Sequence, residues 1–502
     1  MPRPGFVLDV DSGTPPVLFW RNGQLTTEKL PNGSRVVYPP EPLLPLIDLA
    51  ANAKRAIERP VDGEPLRARL KRGMALTVAF DDLTATDRAL ATPDPRGIAL
   101  EAVLTLAAEA GVDDVELVVA RGLSRRMTKA ELASMLGERI TDSFVVTPLL
   151  KQHDADDDDA LSAVDSHVRI NKRIAESDLL VYVAVDPSDT SPYRNISTRI
   201  TDTETTRQIT SLADNAAIDK IGAAIEKQTP IFQIAMTLNN AQFGGGSSFL
   251  QHRVNEWTLK DRVSFNVLKA TLDATPDAVR TRLLQVPPSR QAVTGIVAGS
   301  VKATHAAAMA LLKEQYGSDE PDTTDVVVIG APPASPYAIN SILNPLLVAH
   351  SALTTVVPHD GAPSLVRQGG ALIIHHGLTK IFDPLQQPSF IDFYDDVLPQ
   401  DGEDLTKREE AFAADAWYAH LYRTSYAHHG TLPFRMWAEC DRARKHLGGV
   451  VVVGGETSAA HRLGFRRAST FADAIEMARD ITDAANPSIT HVPYPSPRTF
   501  VA

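Results

Sequence analysis

Apolar runs of strand length recur along the chain and alternate with segments of helical spacing. The runs in the first half are residues 76–82, 115–122, 179–186 and 231–240. Each is apolar at nearly every position, which is typical of strands that are covered on both faces of a parallel sheet. Between the first two runs, residues 97–111 are rich in Ala and Leu and end at Gly111, which can close a helix. Strand, helix and strand in this order predict an α/β fold with mainly parallel sheets.

The second half of the chain repeats this pattern. Apolar runs at 326–330, 371–375 and 450–454 alternate with helical segments at 340–351, 407–447 and 470–485. The polar, Pro-rich stretch 286–290 is the best candidate for a linker. We therefore expect two α/β domains, residues 1–285 and 291–502, with a cleft between them. A chain of 502 residues is long enough for this arrangement at about 150 residues or more per domain.

Charge and cysteine content exclude several classes of protein. The chain has 62 acidic and 50 basic side chains, so its formal charge is −12, which argues against the basic face that a nucleic-acid binder needs. The single cysteine, Cys440, cannot form an internal disulfide or a Cys-rich zinc site. No apolar run approaches the roughly 20 residues that span a bilayer. We expect a cytoplasmic protein that binds a small molecule rather than nucleic acid or membrane, and a homo-oligomer stays open.

Polar loops follow three of the predicted strands, at 81–96, 186–206 and 239–251. Ligands of open α/β sheets bind at the carboxyl ends of the strands. The first loop begins Asp81-Asp82-Leu83-Thr84, where a carboxylate could orient a substrate hydroxyl or act as a base, although Asp and Thr also favour helix caps. Because a loop carboxylate contributes little to a core, Asp82→Ala is expected to abolish ligand binding or activity and to leave the fold intact.

Histidines and acidic residues provide further candidates. Adjacent histidine pairs occur at 375–376, after a predicted strand, and at 428–429, and only His375 or His376 lies at an expected crevice. Neighbouring residues of a strand point to opposite faces, so such a pair rarely chelates one metal ion. His153 and Asp154 precede the acidic run 156–159, which is more typical of a solvated loop than of a calcium site.

Two further segments carry weaker signals. Residues 244–246 are glycines that could cradle an anion, but they match no nucleotide-binding motif and are more typical of a flexible connector. Aromatic and basic residues gather between 417 and 437 at a spacing typical of core or interdomain packing. Arg423 in that segment is the candidate anchor for a carboxylate.

The order of these segments resembles the nickel-pincer lactate racemase family over most of the chain. In the first half, residues 82–84 match the family's Asp-x-Thr motif and residues 122–125 match its Gly-x-His-Arg turn. His153-Asp154 match its His-Asp step, and residues 171–172 with 176–178 match its Asn-Lys and Glu-x-Asp step. The matching segments of the second half, which are similar to the family's C-terminal domain, are 336–341, 369–374 and 463–475.

The resemblance implies two α/β domains around a cleft that holds nickel in a pyridinium-derived pincer nucleotide, attached to a lysine. In the family, this cofactor takes a hydride from the substrate Cα and returns it to the other face, while two histidines handle the hydroxyl proton. The implied reaction is racemisation or epimerisation of a 2-hydroxy acid.

Several family positions are changed in this chain. Ser124 stands where the family has a histidine, and a serine hydroxyl cannot act as a base near neutral pH as imidazole does. After the strand near 179–185, the family continues with His, a Gly-Gly pair and the cofactor-bearing Lys, whereas residues 186–195 contain none of these. Ala85 stands where the family has Arg, and the lysine that follows the first C-terminal strand has no counterpart near Leu346.

Two hypotheses follow from the sequence. In the first, the chain is a racemase or epimerase of a 2-hydroxy acid or sugar acid, and a lysine brought in from elsewhere, such as Lys172, would favour it. The catalytic candidates are Asp82, His153 and His375, and the substrate-binding candidates are Thr84, Arg125 and Arg423. In the second, the chain is a catalytically inactive relative that binds a small anion or a partner protein. A nucleotide-binding protein that uses residues 244–246 is a third, weaker interpretation.

Overall fold

Two large β-sheets organise the chain, and each carries buried apolar residues on both faces. The computed structural model describes residues 6–21, 24–85, 90–187, 190–212, 215–241, 245–276, 279, 291–316, 323–330, 343–358, 363–398 and 404–493. The strands, numbered in chain order, are Val7–Asp9 (β1), Val17–Arg21 (β2), Gln24–Glu28 (β3), Arg35–Val37 (β4), Ala75–Asp81 (β5), Asp114–Ala120 (β6), Leu150–Gln152 (β7), Leu161–Ala163 (β8), Arg169–Asn171 (β9), Leu179–Val185 (β10), Ile231–Leu238 (β11), Val293–Gly299 (β12), Thr324–Gly330 (β13), Val366–His375 (β14), Gly449–Val453 (β15), Arg466–Ala468 (β16) and Ile489–Val492 (β17).

Helices connect the strands and cover the sheets. Their bounds in the described ranges are Leu49–Glu58, Leu66–Arg69, Pro95–Glu109, Lys129–Leu136, Glu138–Val146, Lys172–Ala175, Arg194–Arg199, Thr203–Leu212, Asn215–Gln228, Leu259–Ala274, Val301–Tyr316, Pro345–Val356, Pro388–Asp392, Leu405–Ala414, Ala416–Thr424, Leu432–Glu439, Asp441–His446, Thr457–Arg462 and Phe471–Thr482. Within the described ranges, no helix is long and apolar enough to cross a membrane.

The first sheet has the strand order β12-β11-β10-β5-β6-β7. Its strands are parallel except β12, which runs antiparallel to β11. Val78 and Phe80 of β5 pack into the apolar core on one face, and Ala79 between them packs into the core on the other. This burial on both faces explains why the strands are apolar without alternation.

The helix Pro95–Glu109, which returns the chain from β5 to β6, shows how local sequence sets the connection. Asp94 caps it by accepting a hydrogen bond from the backbone N–H of Arg96, and Pro95 occupies the first turn, where a missing N–H costs nothing. Gly111 follows the helix with a φ of 70°, a left-handed conformation that glycine adopts without strain. The predicted strand, helix and strand are confirmed.

The second sheet has the order β1-β4-β17-β13-β14-β15-β16. Strands β13 to β17 pair in parallel, and β4 joins them by pairing in parallel with β17. The hairpin of β2 and β3 packs on this sheet, where the ring of Phe19 stacks on the imidazole of His491 with 3.8 Å between the ring centroids.

All seven apolar runs are confirmed as strands, and the α/β class with mainly parallel sheets is correct. Each sheet contains strands from before and from after residues 285–291. The early strands β1 and β4 lie in the second sheet, and β12, which follows residue 291, lies in the first. The linker candidate 286–290, the family-like segment 336–341 and the glycine at position 244 lie outside the described residues.

Candidate functional site

The carboxyl end of β5 places two aspartates at the edge of the first sheet. Asp82 is 1% exposed and forms an ion pair with Arg199, whose Nη1 lies 2.8 Å from Asp82 Oδ1. The same oxygen accepts hydrogen bonds from the backbone N–H of Thr84 at 3.0 Å and from the Thr84 hydroxyl at 2.7 Å. Arg96 Nη1 donates to the carbonyl oxygen of Asp82 at 2.7 Å and so fixes the turn from below.

The other oxygen of Asp82 is uncommitted. Among the described residues, Asp82 Oδ2 takes no hydrogen bond, and the atom is not fully buried, so it keeps a small accessible surface. A carboxylate oxygen held in a fixed position with an open lone pair can accept a proton or a hydrogen bond from a ligand hydroxyl.

Asp81 has a structural role. It is completely buried, and its carboxylate accepts hydrogen bonds from the Tyr182 hydroxyl at 2.7 Å and the backbone N–H of Val185 at 3.1 Å. Burial raises the pKa of Asp81 in spite of these bonds and of Arg199, whose Nε lies 3.7 Å away. Burial would by itself lower the pKa of Arg199, but the carboxylates of Asp82 and Asp81 outweigh it and raise that pKa.

A chain of hydroxyl groups connects Asp82 with the end of β6. The Thr84 hydroxyl, which donates to Asp82, lies 3.1 Å from Ser124 Oγ. Because the single proton of Thr84 is used on Asp82, Ser124 is the donor in this contact. Thr84 and Ser124, which the family resemblance singled out, are therefore brought together at the predicted edge of the sheet.

The premise that Asp82 is a loop carboxylate with little contribution to the core is wrong. Asp82 is a buried ion-pair partner rather than an exposed loop carboxylate. Its removal leaves the Arg199 guanidinium, which is only 17% exposed, without its nearest counter-charge.

His153 occupies a structural position in the first half. It is 0% exposed, its Nε2 lies 2.8 Å from the carbonyl oxygen of Thr201, and its Nδ1 lies 3.5 Å from the amide nitrogen of Asn171. Since a carbonyl oxygen only accepts, Nε2 carries the proton and Nδ1 is an acceptor. Burial lowers the pKa of His153 to about 4. In this arrangement both ring nitrogens are engaged, and a proton shuttle through His153 stays a hypothesis without a geometric basis.

His375 ends β14 of the second sheet, inside an aromatic core. Its ring lies 4.6 Å from that of Phe19 and 5.3 Å from that of Phe471, centroid to centroid. Its strand β14 belongs to the second sheet, whereas Asp82 follows β5 of the first sheet. The structure therefore does not bring His375 to the Asp82 site through any contact of the described residues.

Arg125 and Arg423 both belong to ion pairs. Arg125 donates through both terminal nitrogens to Glu131, at 3.0 and 2.6 Å, and Glu131 is the capping-box residue of the helix Lys129–Leu136. Among the described residues, Arg125 Nε is without a hydrogen-bond partner. Arg423, which is 40% exposed, lies 3.0 Å from Asp154 and 3.0 Å from Asp157. Both roles in holding a substrate carboxylate stay predictions.

The acidic run 156–159 is solvated in part, as expected, since Asp158 is 86% exposed and Asp159 is exposed, but its first two residues and the preceding Asp154 meet the second half of the chain. Asp154 and Asp157 pair with Arg423, as above, and Asp156 lies 2.6 Å from His429 Nε2. Burial acts to raise the pKa of Asp156, but the hydrogen bond from His429 and the charge of Arg423 outweigh it and lower that pKa.

Tyr422, from the helix Ala416–Thr424, completes the junction between the halves. It is fully buried, donates to the carbonyl oxygen of Gly122 at 2.6 Å and accepts from the backbone N–H of Ala155 at 3.2 Å. The guanidinium of Arg121 lies 3.9 Å from the centroid of its ring. Tyr422 thus packs against the first half of the chain, whereas Trp417 of the same segment is 61% exposed.

Both histidines of the second pair reach across the junction. His428 Nδ1 accepts a hydrogen bond from the backbone N–H of Arg125 at 3.2 Å, and the backbone N–H of His429 donates to the carbonyl oxygen of Leu123 at 2.9 Å. Burial, together with the charges of Arg125 and Arg121, lowers the pKa of His428 to about 3. The turn 122–125, which carries Ser124, is therefore held from the second half of the chain.

Sequence reasoning missed Arg199, His428 and Tyr422 as site residues. Arg199 lies 117 residues from Asp82, and His428 lies 303 residues from Arg125. The usable signals were an arginine in the polar loop 186–206, the aromatic cluster at 417–437 and the histidine pair 428–429, which was given little weight.

The residues here do not fit covalent attachment of a nickel pincer nucleotide. The segment after β10, where the family has its lysine, is bound to the helix Asn215–Gln228: Ser191 donates to Asp219 at 2.7 Å, and Arg194 donates to Asn215 at 3.2 Å. Lys172, the substitute considered, is exposed at the start of a helix, whereas Asp82 is buried. In the described part of the chain, no three His, Cys, Asp or Glu side chains converge as a metal-binding group.

Known proteins resemble this chain in sequence and fold. Residues 23–187 match the sequence profile of the lactate racemase N-terminal domain. The lactate racemase apoprotein from Thermoanaerobacterium thermosaccharolyticum shares the fold over 97% of this chain and 99% of its own, with 15% identity and a TM-score of 0.58. A protein from Thermotoga maritima matches over 89% of this chain and 95% of its own, with 12% identity and a TM-score of 0.46. No curated protein matches significantly.

Proposed function

We propose that this chain, whose residues 23–187 match the profile of the lactate racemase N-terminal domain and whose fold is that of a lactate racemase, is a racemase or epimerase that acts on a 2-hydroxy acid or a related sugar acid. Its site is the carboxyl edge of the first sheet, where Asp82, Thr84 and Ser124 meet the junction with the second half. The small-molecule substrate is an anion with a hydroxyl group on the carbon next to its carboxylate.

The open oxygen of Asp82 carries this proposal. Oδ1 is held by Arg199 and Thr84, so the carboxylate cannot rotate away, and Oδ2 keeps a free lone pair among the described residues. A hydroxyl group is the donor that such an oxygen accepts. Asp82 therefore orients the substrate hydroxyl and holds its proton at Oδ2.

Cationic side chains beside this site suit a carboxylate. Arg121 follows β6, donates to the carbonyl oxygen of Ser124 at 2.6 Å and is 2% exposed, and burial lowers its pKa. Arg125 follows Ser124 directly and is 4% exposed. The Arg125 guanidinium is paired with Glu131, whereas that of Arg121 forms no ion pair with a described residue, so Arg121 provides a positive potential at the turn 122–125 that attracts an anion.

In the family, the nickel pincer nucleotide supplies the hydride acceptor for inversion at Cα. This chain lacks the attachment lysine, so its own residues account for binding and orientation, and a cofactor would have to bind without that covalent link. The second candidate function, an inactive relative that binds a small anion, is favoured by this one observation.

Binding by the hydroxyl is tested with matched ligands. Protein purified from cells that make the pincer nucleotide is titrated with L-lactate, D-lactate and propionate, which lacks only the hydroxyl, while the midpoint of thermal unfolding is followed. We expect stabilisation by lactate well above that by propionate, and loss of the difference in Asp82→Asn. Equal shifts with lactate and propionate, or an unchanged difference in the variant, would overturn the assignment of Oδ2.

Nickel content and intact mass, measured on the same sample, decide how any cofactor is held. We expect an unmodified mass, because no lysine stands in the family position. A mass increase that equals the nucleotide would show that another residue has taken over the attachment.

A further inference from the structure

His428 lies at the junction between the halves, and its hydrogen bonds fix where its proton lies. A backbone N–H can only donate, so the bond from Arg125 N–H makes His428 Nδ1 an acceptor without a proton. A doubly protonated ring would place a second N–H against that donor. The ring is therefore neutral, and its single proton lies on Nε2. The low pKa of His428, due to burial and to the charges of Arg125 and Arg121, agrees with this assignment.

In His429, the adjacent histidine, the corresponding Nε2–H is engaged by a partner within the protein. The backbone N–H of Thr431 donates to His429 Nδ1 at 3.1 Å, which leaves the proton on Nε2, and that nitrogen lies 2.6 Å from Asp156 Oδ2. The proton of His429 thus serves the contact between the halves of the chain.

The Nε2–H of His428 has no such acceptor. Within the described residues Nε2 makes no hydrogen bond, and it keeps a small accessible surface although the residue is only 4% exposed. The ring lies at the junction, where its Nδ1 accepts from the peptide N–H that follows Ser124, and the charges of Arg125 and Arg121 act on it. A donor N–H with no acceptor of its own, in a positive environment, suits an anionic oxygen.

We infer that His428 binds substrate by donating its Nε2–H to a carboxylate oxygen of the hydroxy acid, across from the hydroxyl that Asp82 holds. The residue is a neutral donor and cannot accept a proton at Nδ1, so it does not replace the family histidine absent at position 124 as a base. This inference rests on the proposed function and supplies a ligand contact from the second half of the chain. A substrate held by Asp82 on one side and His428 on the other requires both halves to be in contact.

Two substitutions separate the ligand contact from the structural one. In His428→Asn, the amide oxygen reaches the position of Nδ1 and can still accept from Arg125, but nothing reaches the position of Nε2. In His428→Gln, the amide nitrogen reaches the position of Nε2 and can donate, but the Arg125 N–H loses its acceptor. His376→Asn is the matched control, because His376 Nδ1 likewise accepts from a backbone N–H, that of Leu378 at 3.0 Å, within the second half.

Calorimetric titration with L-lactate and D-lactate gives the result. We expect His428→Asn to weaken binding about tenfold to a hundredfold, the effect of a lost hydrogen bond to a charged group. His428→Gln should bind within about threefold of the wild type but unfold at lower denaturant concentration, and the His376 control should bind unchanged. A residue with only a structural role would give the reverse order, with binding lost in His428→Gln and kept in His428→Asn.

Nitrogen NMR of the wild-type imidazoles provides a readout that needs no ligand. We expect protonated Nε2 and unprotonated Nδ1 for His428, with no titration between pH 8 and pH 5. A charged ring, or a proton on Nδ1, overturns the inference. Lactate binding that survives in His428→Asn overturns the inference alone, whereas a wild-type protein that binds neither enantiomer overturns the proposed function together with it.

Discussion

Replacement of Asp82 by asparagine should destabilise the first half of the chain, although only one carboxylate oxygen is replaced by an amide NH2 group. The asparagine amide would keep an oxygen for the Thr84 donors, so the change removes charge rather than volume. Arg199 is 17% exposed and Asp82 is 1% exposed, so the variant leaves a guanidinium that is largely buried without its nearest carboxylate. Loss of one partner of a buried ion pair typically costs about 3–5 kcal/mol.

Asp81 places the expected cost at the lower end of that range. Its carboxylate lies 3.7 Å from Arg199 Nε and retains part of the attraction. We expect Asp82→Asn to lower the free energy of unfolding by about 3 kcal/mol at pH 7. When Arg199→Met is added, the uncompensated charge disappears, and the two substitutions should show a coupling energy of about 2–3 kcal/mol.

Urea denaturation followed by circular dichroism measures all members of this cycle. Glu109→Gln is the matched control, because it removes one charge from the exposed pair of Arg67 and Glu109, which are 55% and 49% exposed at a separation of 2.6 Å. That substitution should cost less than about 1 kcal/mol. The reasoning is refuted if Asp82→Asn costs no more than the control, or if its effect adds to that of Arg199→Met without coupling.

Three further predictions concern pH, the junction and one turn. The protein should lose stability as the pH falls from 7 to 5. Four buried histidines have pKa values of about 3 to 4 in the folded protein, below the value of 6.5 for an exposed histidine. The unfolded chain therefore takes up protons at a higher pH than the folded protein, which favours unfolding. Each such histidine contributes about 2 kcal/mol to this loss at pH 5. The His376→Asn variant should therefore show a shallower pH dependence of stability in urea denaturation. A wild-type stability that does not change with pH would contradict this prediction. Tyr422→Phe should lower the free energy of unfolding by about 1–3 kcal/mol, because it leaves the carbonyl oxygen of Gly122 and the N–H of Ala155 buried without this partner. Limited proteolysis between the halves should also become faster, and an unchanged cleavage rate would contradict this role of Tyr422. Gly122→Ala should be more destabilising than Gly63→Ala in the same denaturation assay. Both glycines have positive φ, 48° and 70°, but of the two only a Cβ at position 122 would collide with a backbone atom, the carbonyl oxygen of Thr198. Equal losses would show that the contact relaxes.

The sequence predicted the framework of the fold because the relevant signal is local. The strands β5, β6 and β10 are apolar at nearly every position, and that pattern records burial on both faces. The N-terminal strands β1 and β4 were not predicted, because they are only three residues long and β4 pairs with a strand more than 450 positions away. Such pairing leaves no periodicity in the sequence.

The candidate site was predicted only where it depends on the end of a strand. Asp82 and Thr84 follow β5 directly, so the strand pattern placed them at the sheet edge. His375 also follows an apolar run, but its strand belongs to the other sheet, and no pattern in the sequence shows which sheet a strand joins. His428 was undervalued because it follows no strand: it lies in the loop between the helices Ala416–Thr424 and Leu432–Glu439, and its contact with Arg125 bridges 303 positions of the sequence.

Inversion of a single enantiomer tests the central claim most directly. L-lactate and, separately, D-lactate are incubated with protein from cells that make the pincer nucleotide, and both enantiomers are quantified by chiral chromatography, with Asp82→Asn as the comparison. We expect that each enantiomer yields the other with wild-type protein and that the variant yields none. If lactate binds but keeps its configuration, the proposed isomerase activity is contradicted, and the inactive relative that binds a small anion is the remaining hypothesis. Conversion at the same rate by the variant would contradict the assignment of Asp82 to the site.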